Sequence, residues 1–186
     1  MRVLLVDGTA ERASLVAAGL AEAGYDVVAV ASDARDLTRR VRESGAEVIV
    51  CDLDDPSRDA LESMRALNQD EPRPVVLFAN RGEPEQIEAA LEAGVAAYVV
   101  EGLTPNRVRP VIEVAIRRFR AHQALREELE TTRATLATRK LIDAAKARLM
   151  ETRRLTEQEA YRRLRRMAMD RGIRLAEAAR AVLSSM

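Results

Sequence analysis

Five short apolar runs dominate the first half of the chain: Val3–Val6, Val27–Val30, Val48–Cys51, Val75–Phe78 and Ala97–Val100. Each is too short for a helix, and each is rich in valine, as strands buried on both faces of a parallel sheet must be. Amphipathic stretches separate them, at Glu11–Ala23, Asp33–Glu43, Arg58–Leu67 and Glu85–Ala93. In the first of these, Leu15, Val16, Gly19 and Leu20 recur at helical spacing. Gly24, Gly45 and Gly94 stand just past helix ends, where left-handed backbone is wanted. Strand alternating with helix in this way predicts an α/β doubly wound five-stranded parallel sheet. Function in such a sheet gathers beyond the carboxyl ends of the strands. The residues placed there are Asp7 and Gly8, Asp52, Ala79 and Asn80, and Glu101.

The pattern changes after Pro105. From Arg107 to about Glu151 there is no glycine and one proline, Pro110, so one long helix is expected. Val108, Ala115, His122, Leu129 and Leu136 fall seven apart, with Val111 and Leu125 at the partner position and Arg118 and Arg139 as flaws. Such a heptad seam predicts a coiled-coil linker over 108–137 and a homodimer, the alternative being a solitary helix packed on its own first domain. His122 is the only histidine; at a seam position it is expected to pack, and it leaves no metal cluster to build. Three helical segments follow from Ala137. The first ends near Met150. The second opens with a capping box, Thr156 and Glu159, and ends at Gly172. The third runs from Leu175 to Leu183. Leu149, Ala160, Leu164, Met167 and Ala168 are the expected core of this small module.

A formal net charge of +0 conceals a division. Residues 1–106 hold 10 arginines against 20 acidic residues, and residues 107–186 hold 20 basic against 10 acidic. Residues 137–186 alone hold 13 basic against 6 acidic. Asymmetry of this kind points the basic half at a polyanion, the plainer alternative being neutralisation of one half by the other. About fifty residues in three helices are too few for an enzyme pocket but suit a nucleic-acid surface, so no enzymatic activity is expected. RNA loops expose bases that stack on aromatic rings and arginine planes, while basic side chains hold the backbone. Tyr161, the only aromatic of the module, and Lys146, Arg162, Arg165 and Arg166 are therefore candidate RNA contacts, with Lys146 and Arg165 foremost. Tyr161 packed between helices, and each arginine on a solvated face, are the competing readings. Cys51 is the only cysteine, so no intrachain disulfide forms. No apolar run approaches the roughly 20 residues of a membrane helix, and the first is too short for a signal peptide; a cytoplasmic location is expected.

Residues 1–120 resemble a bacterial response-regulator receiver domain. The resemblance implies that Asp52, in VIVCDLDD, stands where the family accepts a phosphoryl group, and that Asp7 belongs to an acidic pair holding Mg²⁺. Three positions depart from the family. Gly8 replaces the second carboxylate, Ala79 the hydroxyl residue after the fourth strand, and Glu101 the lysine after the fifth. Mg²⁺ requires several hard oxygen ligands, and phosphoryl transfer requires cations around the equatorial oxygens. A pseudo-receiver is expected, with no cofactor required and any Mg²⁺ at the acidic pocket of Asp7 and Asp52 held weakly.

Residues 138–186 resemble an ANTAR domain, the RNA-binding antitermination module of bacterial regulators. The likeness rests on Ile142, Ala145, Lys146, Leu149, Met150, Thr156, Glu159, Ala160, Tyr161, Leu164, Arg165, Ala168, Met169, Leu175 and Ala179. Ala147 and the pair Arg153–Arg154 depart from it, where family members carry glycine. The combination resembles the amide- and nitrate-operon antiterminators, and the AYVV-x-GL segment the nitrate-assimilation branch. It implies a dimer that binds leader-RNA stem-loops, held in check by a sensor protein. The alternatives are phosphorylation of Asp52 with the same RNA output, a DNA-binding helical output, and a purely protein-binding module.

Overall fold

A computed structural model describes residues 1–53, 56–100 and 105–184, with residues 105–107 by backbone alone. The expected alternation is present. Strands β1 (Arg2–Asp7), β2 (Asp26–Ala31), β3 (Val48–Asp52), β4 (Val75–Ala79) and β5 (Ala97–Val100) are joined through helices α1 (Ala10–Glu22), α2 (Leu37–Ser44), α3 (Arg58–Asp70) and α4 (Pro84–Glu92). All strand pairs are parallel, in the order β2-β1-β3-β4-β5. Alternate residues of the central strands feed opposite faces, because side chains on a strand alternate. Leu4, Val6, Ile49, Cys51, Val75 and Leu77 pack under α2, α3 and α4. Val3, Leu5, Val48, Val50, Val76 and Phe78 pack against α1 and the start of the next helix. Gly24, Gly45 and Gly94 have φ of +86°, +62° and +91°, the left-handed values their positions predict.

One boundary differs. The sequence places a helix from Asp33, and the structure begins α2 at Leu37. The Asp33 carboxylate accepts from the Arg35 backbone N–H and pairs with the Arg35 and Arg40 guanidinium groups. Asp36 is left-handed at φ 52°. A short acidic side chain that captures nearby donors competes with the helix and delays it.

The chain divides into two compact units, Met1–Gln123 and Ala124–Met186. Helix α5 (Pro105–Arg153) contributes to both. Val108, Ile112, Ala115 and Ile116 belong to the sheet's core. Ala145 and Leu149 belong to a separate cluster with Ala160 and Leu164 of α6 (Glu157–Arg171) and Ala179 and Val182 of α7 (Leu175–Ser184). Met167 packs against that cluster from its edge. The heptad positions thus divide: Val108 and Ala115 are buried in the first core, while Leu125, Leu129 and Leu136 are 64%, 48% and 52% exposed. His122, at the same seam, is likewise exposed in the single chain.

Candidate functional site

The strand order reverses between β1 and β3, and there the two acidic residues meet. Asp7 and Asp52 are register partners at the carboxyl ends of these strands, 2% and 4% exposed. Buried carboxylates require a cation or a set of donors. Both come from the two-residue β1–α1 connection and the first turn of α1. The Thr9 backbone N–H donates to Asp7 Oδ1 at 2.8 Å. Arg12 Nε lies 3.1 Å and 3.0 Å from the two Asp7 oxygens and 3.3 Å from Asp52 Oδ2. A terminal nitrogen of the same guanidinium donates to the Asp52 carbonyl at 3.3 Å. One side chain therefore ties the two strand ends together.

The altered positions fit this picture. A Cβ at Gly8 would meet only the Ser32 carbonyl oxygen at 3.8 Å, so the backbone does not forbid a larger residue there; the position simply supplies no ligand. Ala79 is fully buried at the end of β4 and offers no hydroxyl. Glu101 lies outside the described residues. Mg²⁺ requires oxygen ligands at about 2.0–2.1 Å in near-octahedral array. With Arg12 on the oxygens that such an ion would use, the described residues do not fit it. Among the described residues no group of three or more His, Cys, Asp or Glu is placed to hold a metal. Beside the pocket, burial and then the neighbouring Asp52 push the Cys51 thiol up to about 12, so it is inert as a nucleophile near neutral pH. Sequence reasoning missed Arg12. The available signal was its place five residues after Asp7, in the first turn of a helix leaving the strand's carboxyl end.

The second candidate surface lies on α6. Ala160, Leu164 and Ala168 are buried, which fixes the opposite face. Arg162, Arg165, Arg166 and Met169, at i, i+3, i+4 and i+7, lie on that outer face and are exposed. Tyr161 neighbours Arg165 one turn away and is 44% exposed, which places it on the surface rather than between helices. None of Arg162, Arg165 and Arg166 forms a salt bridge among the described residues. Lys146 behaves differently. Its ammonium lies 2.8 Å from Asp143 and 2.7 Å from Glu157, so it bridges α5 to α6. The hydrogen bonds it donates to Asp143 and then Glu157 raise its pKa. The structure thus brings Tyr161, Arg162, Arg165 and Arg166 together and sets Lys146 apart in an ion pair of the fold. Thr156 caps α6 by accepting from the Glu159 N–H, and Glu159 accepts from the Thr156 N–H, completing the expected capping box.

Among the described residues no helix is long and apolar enough to cross a membrane. The response regulator receiver domain family matches residues 3–113, and the ANTAR domain family matches residues 130–183. The transcriptional regulatory protein PdtaR of Mycobacterium tuberculosis is 30% identical over 185 residues, covering 100% of this chain and 90% of that protein. A LuxR-family two-component response regulator from Aurantimonas superposes with a TM-score of 0.54 at 30% identity, over 62% of this chain and 84% of that one. The receiver domain of NarL from Mycobacterium tuberculosis gives 0.54 at 24% identity, over 61% and 94%, a likeness of fold. These relatives are regulators rather than enzymes, and the receiver fold, the trihelical module and the length of the match agree: the chain belongs to the ANTAR-domain response regulators.

Proposed function

We propose that this chain is a transcription antitermination regulator whose C-terminal module binds stem-loops of a leader RNA. The observation that carries the reading is the outer face of α6, where Arg162, Arg165 and Arg166 are exposed beside an exposed Tyr161. Arginine planes and an aromatic ring are what unstacked loop bases and a phosphate backbone call for. Binding disfavours a terminator hairpin, and transcription continues; the chain performs no catalysis. The exposed Leu125, Leu129 and Leu136 support a homodimer through α5, which presents two modules to paired stem-loops. The receiver-like unit acts in the cytoplasm through a partner sensor protein rather than through phosphate, since Gly8 and Ala79 remove two elements of the phosphoryl site. Nitrogen assimilation is the target class suggested by the AYVV-x-GL resemblance, part of which lies outside the described residues.

The test is fluorescence anisotropy of the full chain with a labelled two-hairpin leader RNA and with duplex DNA, across a salt series. Preferential, strongly salt-dependent binding to the hairpin RNA is expected. Tighter binding to duplex DNA would replace the reading by a DNA-binding output. Stoichiometric labelling by a small phosphodonor with Mg²⁺, abolished in Asp52→Asn, would overturn the phosphate-independent part.

A further inference from the structure

We infer that Arg12 is the resident cation of the receiver pocket, a tethered replacement for the divalent ion rather than an incidental neighbour. The inference deepens the phosphate-independent reading above and rests on it. Asp7 and Asp52 occupy paired positions on adjacent strands with almost no solvent contact. Two carboxylates in such a place repel one another unless a positive charge lies between them. Arg12 Nε stands within 3.3 Å of three of their oxygens, and the same guanidinium reaches the Asp52 carbonyl. Guanidinium is planar, permanently charged and weakly hydrated, which suits it to a partly buried post of this kind.

Geometry also explains why the substitution is self-consistent. Arg12 leaves from the first turn of α1, so the short β1–α1 connection fixes its Cα beside the pocket. A mobile ion must be captured from solvent at each opening of the pocket. A tethered guanidinium has high effective concentration and remains when divalent ions are withdrawn. It also covers Asp52: an incoming phosphodonor meets a guanidinium already hydrogen-bonded to that residue's carbonyl and paired with its carboxylate.

Metal binding by the full-length protein tests this directly, with Mn²⁺ followed by electron paramagnetic resonance and Mg²⁺ by its effect on Tm. Wild-type protein is expected to show no stoichiometric Mn²⁺ site and no Tm response to Mg²⁺ or EDTA. Arg12→Ala is expected to gain one site per chain, at least about tenfold tighter than any wild-type binding, because a positive charge a few ångströms from the ion has gone. The double variant Gly8→Asp/Arg12→Ala, with its third carboxylate, binds more tightly still. Arg12→Lys keeps the charge and remains without a site. Should Arg12→Ala not fold in metal-free buffer, Arg12→Gln is read instead; folding of either only when Mg²⁺ is present supports the inference. Stoichiometric Mn²⁺ binding by wild type as tight as by Arg12→Ala overturns it, as does a folded Arg12→Ala or Arg12→Gln protein with no gained site. Phosphodonor labelling of the wild type and of Asp52→Asn is measured separately, so failure of the inference is distinguished from failure of the phosphate-independent reading.

Discussion

Arginine is placed in opposite ways in the two units. In the N-terminal unit Asp7, Asp52 and Arg12 close on one another at the carboxyl end of the sheet. Their charges are satisfied inside the fold. On α6 the arginines at 162, 165 and 166 face solvent without a salt bridge among the described residues, and their charge remains available to a polyanion. Lys146 shows that the distinction is one of position rather than residue type. It lies in the basic module, yet its ammonium is paired with Asp143 at 2.8 Å and Glu157 at 2.7 Å. A charge count over fifty residues therefore does not say which of the basic side chains are free of ion pairs; the structure does.

The two units hold separate cores, and emptying each in turn puts that separation to its most severe test. Leu77 and Leu164 are both fully buried, in clusters that share no residue. Leu77→Ala is expected to lower the stability of the N-terminal unit by about 2–5 kcal/mol, and Leu164→Ala that of the C-terminal unit by a similar amount. Residue-resolved hydrogen exchange in a denaturant series reads each unit by itself. Equal loss in both units from either substitution would end the description as two cores.

Exposed and ion-paired basic side chains should respond differently to substitution. Arg162, Arg165 and Arg166 changed together to Glu should weaken hairpin RNA binding on the order of 100-fold and reduce the salt slope by about 2–3, as expected for three lost phosphate contacts. Lys146→Gln should leave that slope nearly unchanged and lower the Tm of the C-terminal unit, because its partners are Asp143 and Glu157. Anisotropy across a salt series and calorimetry separate the two; a large slope change for Lys146→Gln would place it back on the RNA surface.

What was legible in the sequence follows from the range of the forces involved. The five strands are local runs of valine whose burial admits one reading, and all five appear within a residue or two of expectation. The glycine caps and the Thr156–Glu159 box are local as well. Asp7 and Asp52 were placed together because a parallel sheet aligns strand ends. Arg12 escaped because its role depends on a side chain reaching across 40 residues of sequence to Asp52, and its place five residues after Asp7 was the one local signal. The pairing of Lys146 with Glu157 was missed for the same reason: it exists only once α5 and α6 fold back. The start of α2 was misjudged because a local competitor, Asp33, outweighed helical periodicity.

Smaller effects test how the C-terminal unit is held. Thr156→Ala removes the hydroxyl that accepts the Glu159 N–H and should cost about 1 kcal/mol, measured by urea unfolding. The same box gives a pH dependence. The Thr156 backbone N–H, and then its hydroxyl, hold the Glu159 carboxyl below its ordinary value of 4.5. A lowered folded-state pKa contributes stability that is present above the unfolded value and is lost as pH falls through the folded one. The C-terminal unit should accordingly lose stability as pH falls below about 4.5, and less steeply in Thr156→Ala, where one of the two donors is gone. An acid titration identical in both proteins would remove the hydroxyl from that account.

The smallest effect concerns the ends of two helices in the same unit. Helix α6 closes on Gly172 at φ 63°, a conformation glycine adopts without cost. Helix α5 closes on Arg153, and the next residue, Arg154, takes φ 52° with a full side chain. Left-handed backbone costs a non-glycine residue roughly 1–2 kcal/mol. Glycine is the residue that the resemblance leads one to expect in this turn, so the departure carries a physical penalty. Arg154→Gly relieves the strain but enlarges the freedom of the unfolded chain, which returns about 0.4–1 kcal/mol of the gain. The net expectation is a C-terminal unit more stable by about 0.5–1 kcal/mol, read as a rise in its urea midpoint at unchanged m-value. Unchanged or reduced stability would mean that the Arg154 side chain makes a contribution larger than its backbone strain, and hairpin RNA affinity measured on the same variant would then show whether that contribution is to RNA.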